Sequence, residues 1–285
     1  MATATFSLPR KGRGRLSPLP GLSLTLGITI AWLSILLLLP LVALFIKSLT
    51  LGPAHFFAAA FSRRAIASYE LSFGAALVAA AVNAVFGLLV AWVLVRYRFP
   101  GRRLLGALVD LPFALPTAVA GIALTAVYAD TGWVGEPLSA FGLKLAYNPI
   151  GVVIALTFIG LPFVVRTVEP VLADMGRGLE EAAATLGARR WTIFRRVILP
   201  EIFPAIVTGF ALAFARGVGE YGSVIFIAGN MPFKSEIAPL LIVTKLEEYD
   251  YAGATAIAAV LLLASLFLLL LINIWQGREL RRRSA

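Results

Sequence analysis

The chain has 285 residues; 60% are hydrophobic, only 14% are charged, and the formal net charge is +10. A mean hydropathy of +0.90 excludes an ordinary soluble domain, which is about half apolar and about a quarter charged, and a disordered chain, which is poor in apolar residues. What remains is an all-α polytopic membrane protein, without cysteine for disulfides or thiolate sites and with His55 as its one histidine, too few for a histidine-built metal site.

Six apolar stretches are long enough to cross the hydrocarbon core, which takes about 20 residues of helix. They are expected from Leu22 to Ile46, Ser68 to Val95, Leu105 to Tyr128, Ile150 to Val165, Ile202 to Ala228 and Tyr251 to Trp275. Continuous apolar runs disfavour a β-barrel, whose strands alternate. The first run follows a basic stretch and no small-x-small cleavage site comes promptly after it, so it reads as a retained helix that also serves as the insertion signal. The expected organisation is a basic cytoplasmic tail over 1–20, a six-helix domain over 21–276 that includes a cytoplasmic loop over 171–200, and a second basic tail over 277–285.

The basic residues set the orientation. Arg10, Lys11, Arg13 and Arg15 precede the first span, and Arg96, Arg98, Arg102 and Arg103 fall between the second and third. Arg166, Arg177, Arg189, Arg190, Arg195 and Arg196 fall between the fourth and fifth, and Arg278, Arg281, Arg282 and Arg283 follow the sixth. The opposite connections hold only Lys47, Arg63, Arg64, Lys144, Lys234 and Lys245. The richer side is cytoplasmic by the positive-inside rule, which puts both termini there. Topology and lipid headgroups account for the positive charge, and no nucleic-acid partner is needed.

Several spans carry groups that a mere anchor would not need. Pro112 and Pro116 lie in the run Asp110-Leu-Pro-Phe-Ala-Leu-Pro-Thr117. Each removes a backbone donor and clashes with the preceding turn, which fits either a kinked third helix beside a pathway or a packing kink with no ligand; Pro162 invites the same two readings. The fifth span holds Phe214-Ala-Arg-Gly-Val-Gly-Glu-Tyr-Gly222. Arg216 is about 14 residues into it, about 21 Å along a helix and close to the midplane, where a lone arginine costs about 3 kcal/mol on insertion scales. Glu220, four residues on, shares its face. The pair is open to two compatible readings: self-neutralisation, or an arginine that meets an anion in transit while the glutamate holds it in place. Gly217, Gly219 and Gly222 permit close helix contact or leave room for a solute. The lone amide Asn83 in the second span suits an interhelical hydrogen bond.

The loop before the fifth span has the composition of a short helix over Leu179 to Leu186, with Leu179, Ala183 and Leu186 on one face and Gly187 at a helix-ending position. A second short helix would turn Ile193, Val197 and Leu199 inward and Arg189, Arg190, Arg195 and Arg196 outward, with Pro200 at the start of the next span. Glu181-Ala182-Ala183, three residues, Gly187, nine residues, then Val197, Leu199 and Pro200 resembles the pattern of permease subunits of bacterial ABC importers, with Val197 where isoleucine is usual. The resemblance implies the six-helix type I importer permease fold and makes this loop a coupling helix seated in a cleft of an ATPase subunit. Small Ala182 and Ala183 suit close docking, and Glu181 offers one directional charge contact. The bland alternative is a surface helix with a helix-favouring glutamate.

The runs Phe158–Thr167, Ala215–Asn230 and Leu246–Thr255 resemble the sulfate/thiosulfate permeases and their molybdate relatives, and most of all the T-type subunits of the sulfate importer. The resemblance implies as partners a homologous W-type permease or a second copy, two ATPase subunits and a periplasmic sulfate-binding protein, in the bacterial inner membrane. ATP and Mg would be bound by the ATPase, with no cofactor in this chain. The sequence has no G-x-x-x-x-G-K-[ST] phosphate loop, so it is expected to be a transport subunit and not itself an enzyme. The outer connections, over 50–67, 130–148 and 229–250, are too short for a receptor domain. Lys234, Glu236, Glu247, Glu248 and Asp250 either face the binding protein or are simply solvated. The expected function is import of sulfate or thiosulfate by alternating access, with molybdate or tungstate as the alternative cargo. An ion-coupled secondary transporter would fit the intramembrane charge, but no internal repeat of the kind many such folds carry is visible. A membrane enzyme would need a metal-ligand cluster or a histidine base that the spans do not offer.

Overall fold

The computed structural model describes residues 22–50 and 52–284; the basic tail expected over 1–20 lies outside the described residues. Among the described residues the structure is helical, with connecting turns and no strand. The chain divides into two compact units, Met1–Lys47 and Ser48–Ala285.

In the first unit, α1 (Leu22–Leu33) widens into a π turn at Ser34–Leu38 and continues as α2 (Leu39–Leu49). Leu24–Ser48 is apolar and long enough to cross a membrane. A helix apolar on all sides is stable only in lipid or against protein.

The second unit comprises α3 (Pro53–Ala60), α4 (Arg63–Arg96), α5 (Arg102–Ala114), α6 (Thr117–Tyr128), α7 (Gly135–Ser139), α8 (Pro149–Asp174), α9 (Gly178–Thr185), α10 (Arg190–Ile193), α11 (Leu199–Val218), α12 (Val224–Ile227), α13 (Ala238–Glu247) and α14 (Tyr251–Ser284). Helices α4 and α8 start on side-chain caps: the Ser62 hydroxyl accepts from the Ala65 N–H at 3.3 Å, and Asn148 Oδ1 accepts from Ile150 and Gly151 at 2.8 and 3.2 Å. The core is α4, α8 and α11, packed through small residues: Ala75, Ala76, Ala79 and Ala80 of α4 are buried. A Cβ on Gly87 would lie 2.8 Å from Val164 Cγ1, and one on Gly209 would lie 2.7 Å from Val164 Cα. With no hydrophobic force between helices in lipid, such close backbone approach supplies the packing energy. Around this core, α14 packs on α13, α3 and α11, α5 packs on α8, and α12 packs on α6 and α8.

Among the described residues, five helices are long and apolar enough to span a membrane, or up to six if the bent pair α5–α6 counts as one. The boundaries differ from expectation most in the third, fourth and fifth spans. The fourth span continues to Asp174, so Arg166 lies inside α8 and not in a loop. The third span is not kinked but broken: α5 and α6 meet at 116°. Pro112 sits inside α5, while Leu115 is extended ahead of Pro116, the N-cap of α6, since a residue preceding proline avoids the helical region. The fifth span ends at Val218, not at Ala228, and the chain turns through 219–223 before α12. On its other side the expected separate short helix is fused to it, because α10, a π turn at Phe194–Ile198 and α11 run on as one helix, Arg190–Val218. The expected C-terminal tail continues the helical backbone of α14 to Ser284.

Candidate coupling loop and translocation site

The loop between α8 and α11 is tied to the end of α4 by Arg96. That guanidinium pairs with Glu180, donates to the Gly176 carbonyl at 2.9 Å and lies 5.5 Å from the centroid of the Trp92 ring. Arg177 donates back to the Arg96 carbonyl at 3.1 Å. Glu180 and Glu181 occupy the first turn of α9, where the helix dipole favours carboxylates. A cleft of ≈ 610 Å³ opens beside them, lined in part by Trp92, Arg96, Glu181, Ala184 and Arg190.

Gly187 ends α9 with φ +79°. Its N–H donates to Ala184 at 2.9 Å and the Ala188 N–H donates to Ala183 at 3.1 Å, the two bonds of a Schellman cap. The apolar face of α9 is split: Ala183 packs against the core, but Leu179 is exposed and Leu186 is 89% exposed. Glu181 and Ala182 are exposed too. In the following segment Ile193 and Ile198 are buried, Val197 and Leu199 are half-buried, and Arg189, Arg190, Arg195, Arg196 and Pro200 are exposed. Trp191 stacks on Phe194, which meets Trp92 edge-on at 6.0 Å, so the loop has an aromatic base beneath an exposed apolar and acidic top.

At the far end of α11, Arg216 pairs with Glu220 although Glu220 lies beyond the helix terminus at Gly219. The Glu220 side chain is 2% exposed and that of Arg216 37%. Glu220 Oε1 accepts from the Ser223 N–H at 2.9 Å and from its hydroxyl at 3.0 Å. Ser223 is buried, and its backbone lies where a Cβ on Gly121 would be; Gly222 likewise lies against the Thr117 side chain. The turn after Arg216 therefore meets the first turns of α6, just past Pro116. Pro112 is half-buried about one turn earlier, on α5. Ser223 carried no signal in the sequence, where it is one serine in an apolar run.

A second charged cluster inside the bundle centres on Arg166. Its guanidinium donates to Asp110 through Nε at 2.7 Å and through Nη2, to the Gly106 carbonyl at 2.9 Å and to Glu169, tying α5 to α8. The signal was available: Asp110 and Arg166 are charges within apolar runs. Asn83, expected to bridge helices, is fully buried with neither Oδ1 nor Nδ2 partnered, in space that the missing side chain of Gly160 leaves open.

In the connection over 229–250, expected to lie on the outer side, Glu236 is not solvated. It takes two hydrogen bonds from Arg64, at 2.7 and 2.6 Å, with 1% of its side chain exposed. Lys245 bonds Glu248 at 2.9 Å and approaches Asp250 at 3.3 Å, while Lys234 and Glu247 are exposed. The Gly253 N–H, first, and then Lys245 hold the Asp250 carboxyl below its ordinary range, and the bond to Glu248 is the main cause that raises the Lys245 ammonium.

The profile of the binding-protein-dependent transport system inner membrane components matches residues 83–284. Over 264 residues the chain is 50% identical to the sulfate transport system permease protein CysT of Escherichia coli (strain K12), covering 93% of this chain and 95% of that one. It is 53% identical over 246 residues to the probable sulfate transport system permease protein cysT of Nephroselmis olivacea, covering 86% and 87%. Among solved structures, a bacterial alginate ABC transporter in complex with alginate pentasaccharide-bound periplasmic protein matches with a TM-score of 0.74 at 21% identity, over 90% of this chain and 94% of that one. The inward-facing MetNI methionine ABC transporter matches at 0.52 and 21% identity, over 78% and 99%. Those two likenesses establish the type I ABC importer permease fold, and with the sequence matches they place this chain in the family of binding-protein-dependent transport system inner membrane components, among its CysT-type permeases.

Proposed function

We infer that the chain is the inner-membrane permease of an ATP-driven importer that moves sulfate or thiosulfate into the cytoplasm by alternating access. The reading includes a homologous W-type permease or a second copy beside it, two separate ATPase subunits that bind ATP and Mg, a periplasmic sulfate-binding protein, and both termini in the cytoplasm. No cofactor is assigned to this chain. Sulfate as the cargo is supported by the CysT relatives.

The observation that carries the mechanism is the exposed α9. Glu181, Ala182, Leu179 and Leu186 present a charged and apolar surface on a helix whose other side is fixed through Ala183 and Glu180. Gly187 and the Val197, Leu199 and Pro200 segment lead from it directly into the helix that ends beside Arg216. From Arg190 to Arg216 that helix is about 39 Å long, so displacement at the loop reaches the turn holding Glu220 as the movement of one rod. Arg216, Glu220 and the breaks at Pro112 and Pro116 then form the part of the pathway that moves. Broken backbone at membrane depth belongs where protein or a cavity satisfies it.

The test is uptake of labelled sulfate by the assembled importer in vesicles, with ATP hydrolysis measured in the same sample and molybdate as competitor. Glu181→Ala and Gly187→Val are expected to lower sulfate moved per ATP at least tenfold while the subunits still co-purify. Normal transport by both variants would falsify the coupling role, and wild-type vesicles that take up molybdate but not sulfate would overturn the cargo.

A further inference from the structure

The two arginines within the bundle differ in how fully they are engaged. Arg166 makes four hydrogen bonds, to Asp110, Gly106 and Glu169. Its fork is close to saturated, and it acts as a tie between helices. Arg216 makes one ion pair, through Nη1, and its remaining N–H groups have no partner among the described residues. An arginine with spare, partly exposed donors in a span faces protein or water, since lipid solvates neither its charge nor its donors.

The carboxylate opposite it is built differently. Glu220 is buried, and Oε1 is fixed by the Ser223 N–H and hydroxyl. Ser223 is in turn pinned against Gly121, where a side chain would collide with its backbone. One member of the pair is therefore anchored through Oε1 independently of the arginine, and the other is a long flexible side chain held at one nitrogen.

We propose that Glu220 is an internal stand-in for the transported anion: it occupies Arg216 when no oxyanion is present, and a tetrahedral dianion in transit takes its place on the guanidinium. This rests on the sulfate reading above. In the exchange Arg216 swings and Glu220 stays on Ser223, with Oε2 released. No covalent bond forms and no proton need move. Planar bidentate contact with an oxyanion is what a guanidinium offers best. The neighbouring carboxylate keeps that contact weak, because each anion must compete with a tethered one. Passage requires binding strong enough to enter and weak enough to leave, and a resident carboxylate sets that balance within one chain. Ser223 is a positioning residue in this scheme, acting through Glu220.

The test uses the purified importer without its binding protein, so that retained label reports the permease. Glu220→Gln keeps an acceptor for Ser223 and removes the competing charge. Labelled sulfate retained on this variant is expected to rise at least tenfold over wild type, while uptake per ATP falls because the anion leaves slowly. The neutral pair Arg216→Gln with Glu220→Gln separates this role from mere charge balance. If the ion pair only neutralises itself, the double variant transports near the wild-type rate; as an anion contact, it assembles, retains no sulfate and loses uptake at least tenfold. Unchanged retention in an assembled Glu220→Gln importer overturns the inference, as does near-normal uptake by the double variant or its failure to assemble. Failure of the sulfate reading shows separately, as absent sulfate uptake by wild type, and labelled molybdate is then taken through the same variants.

Discussion

A methyl group decides the packing at Gly209. Its Cβ would stand 2.7 Å from Val164 Cα and 3.3 Å from the Phe163 carbonyl oxygen, so the atoms in the way are backbone and no rotamer change relieves the clash. Gly209→Ala must push α11 away from α8, and overpacking of this kind costs about 1–3 kcal/mol. Gly74, on α4, meets nothing within 4 Å, and alanine there gains up to about 1 kcal/mol of helix propensity. Thermal unfolding of the two variants in one detergent is expected to lower the midpoint for Gly209→Ala and to leave it level or raised for Gly74→Ala. Equal midpoints would show that the α8–α11 contact is not tight. A glycine in an apolar run announces nothing about what it faces, which is why Gly217, Gly219 and Gly222 stood out beside charges while Gly87 and Gly209, deeper in the core, did not. Arg216 and Glu220 were legible for the opposite reason: charge in a span is costly enough to demand a partner.

At the scale of elements, the bent pair α5–α6 depends on few contacts. Helix α5 exposes Leu104, Leu108 and Phe113 on its outer side, and Arg166 joins it to α8 through Asp110 and Gly106. An edge-on contact of Phe113 with Phe163 at 5.2 Å adds to this. Asp110→Asn leaves Arg166 with Glu169 and weakens the tie. Both side chains are more than a third exposed, so solvent screening holds the loss to about 1 kcal/mol or less. The expected result is faster backbone hydrogen exchange in α5 with α4, α8 and α11 unchanged; a change spread evenly over all four helices would count against a local tie. Pro112 and Pro116 announced a disruption in this segment, but not its size. A proline fixes its own φ and restricts the residue before it, whereas the 116° angle is set by what α6 packs on, namely Gly222, Ser223 and α12. The shared face of Leu179, Ala183 and Leu186 on α9 was legible, but not what covers each residue: helical spacing identifies an apolar face and cannot say whether this chain or another protein covers it, and here only Ala183 packs on this chain.

For the whole molecule, composition, span number and the loop pattern were readable because each depends on the bilayer or on local spacing. Glu236 shows where that ends: a glutamate in an outer connection reads as solvated, and only the fold brings Arg64, from the start of α4, against it. The end of the same connection holds two groups whose titration is shifted. Asp250 is held below its ordinary 3.8, first by the Gly253 N–H and then by Lys245. A depressed carboxylate contributes stability that is present above its unfolded pKa and lost as pH falls through its folded one. Lys245 is raised above its ordinary 10.5, chiefly by Glu248; its contribution is full below that value and lost as pH rises through the folded pKa. Between about pH 5 and pH 9 neither group titrates, so these two contribute no pH dependence there. Asp250→Asn should therefore lower the unfolding midpoint of the importer by a constant amount across that window, modest because the Asp250 side chain is 41% exposed. The difference from wild type should close as both are taken below the carboxylate range. A gap that persists in acid would mean that Asp250 acts through its shape alone, capping α14 through Gly253 without any help from its charge.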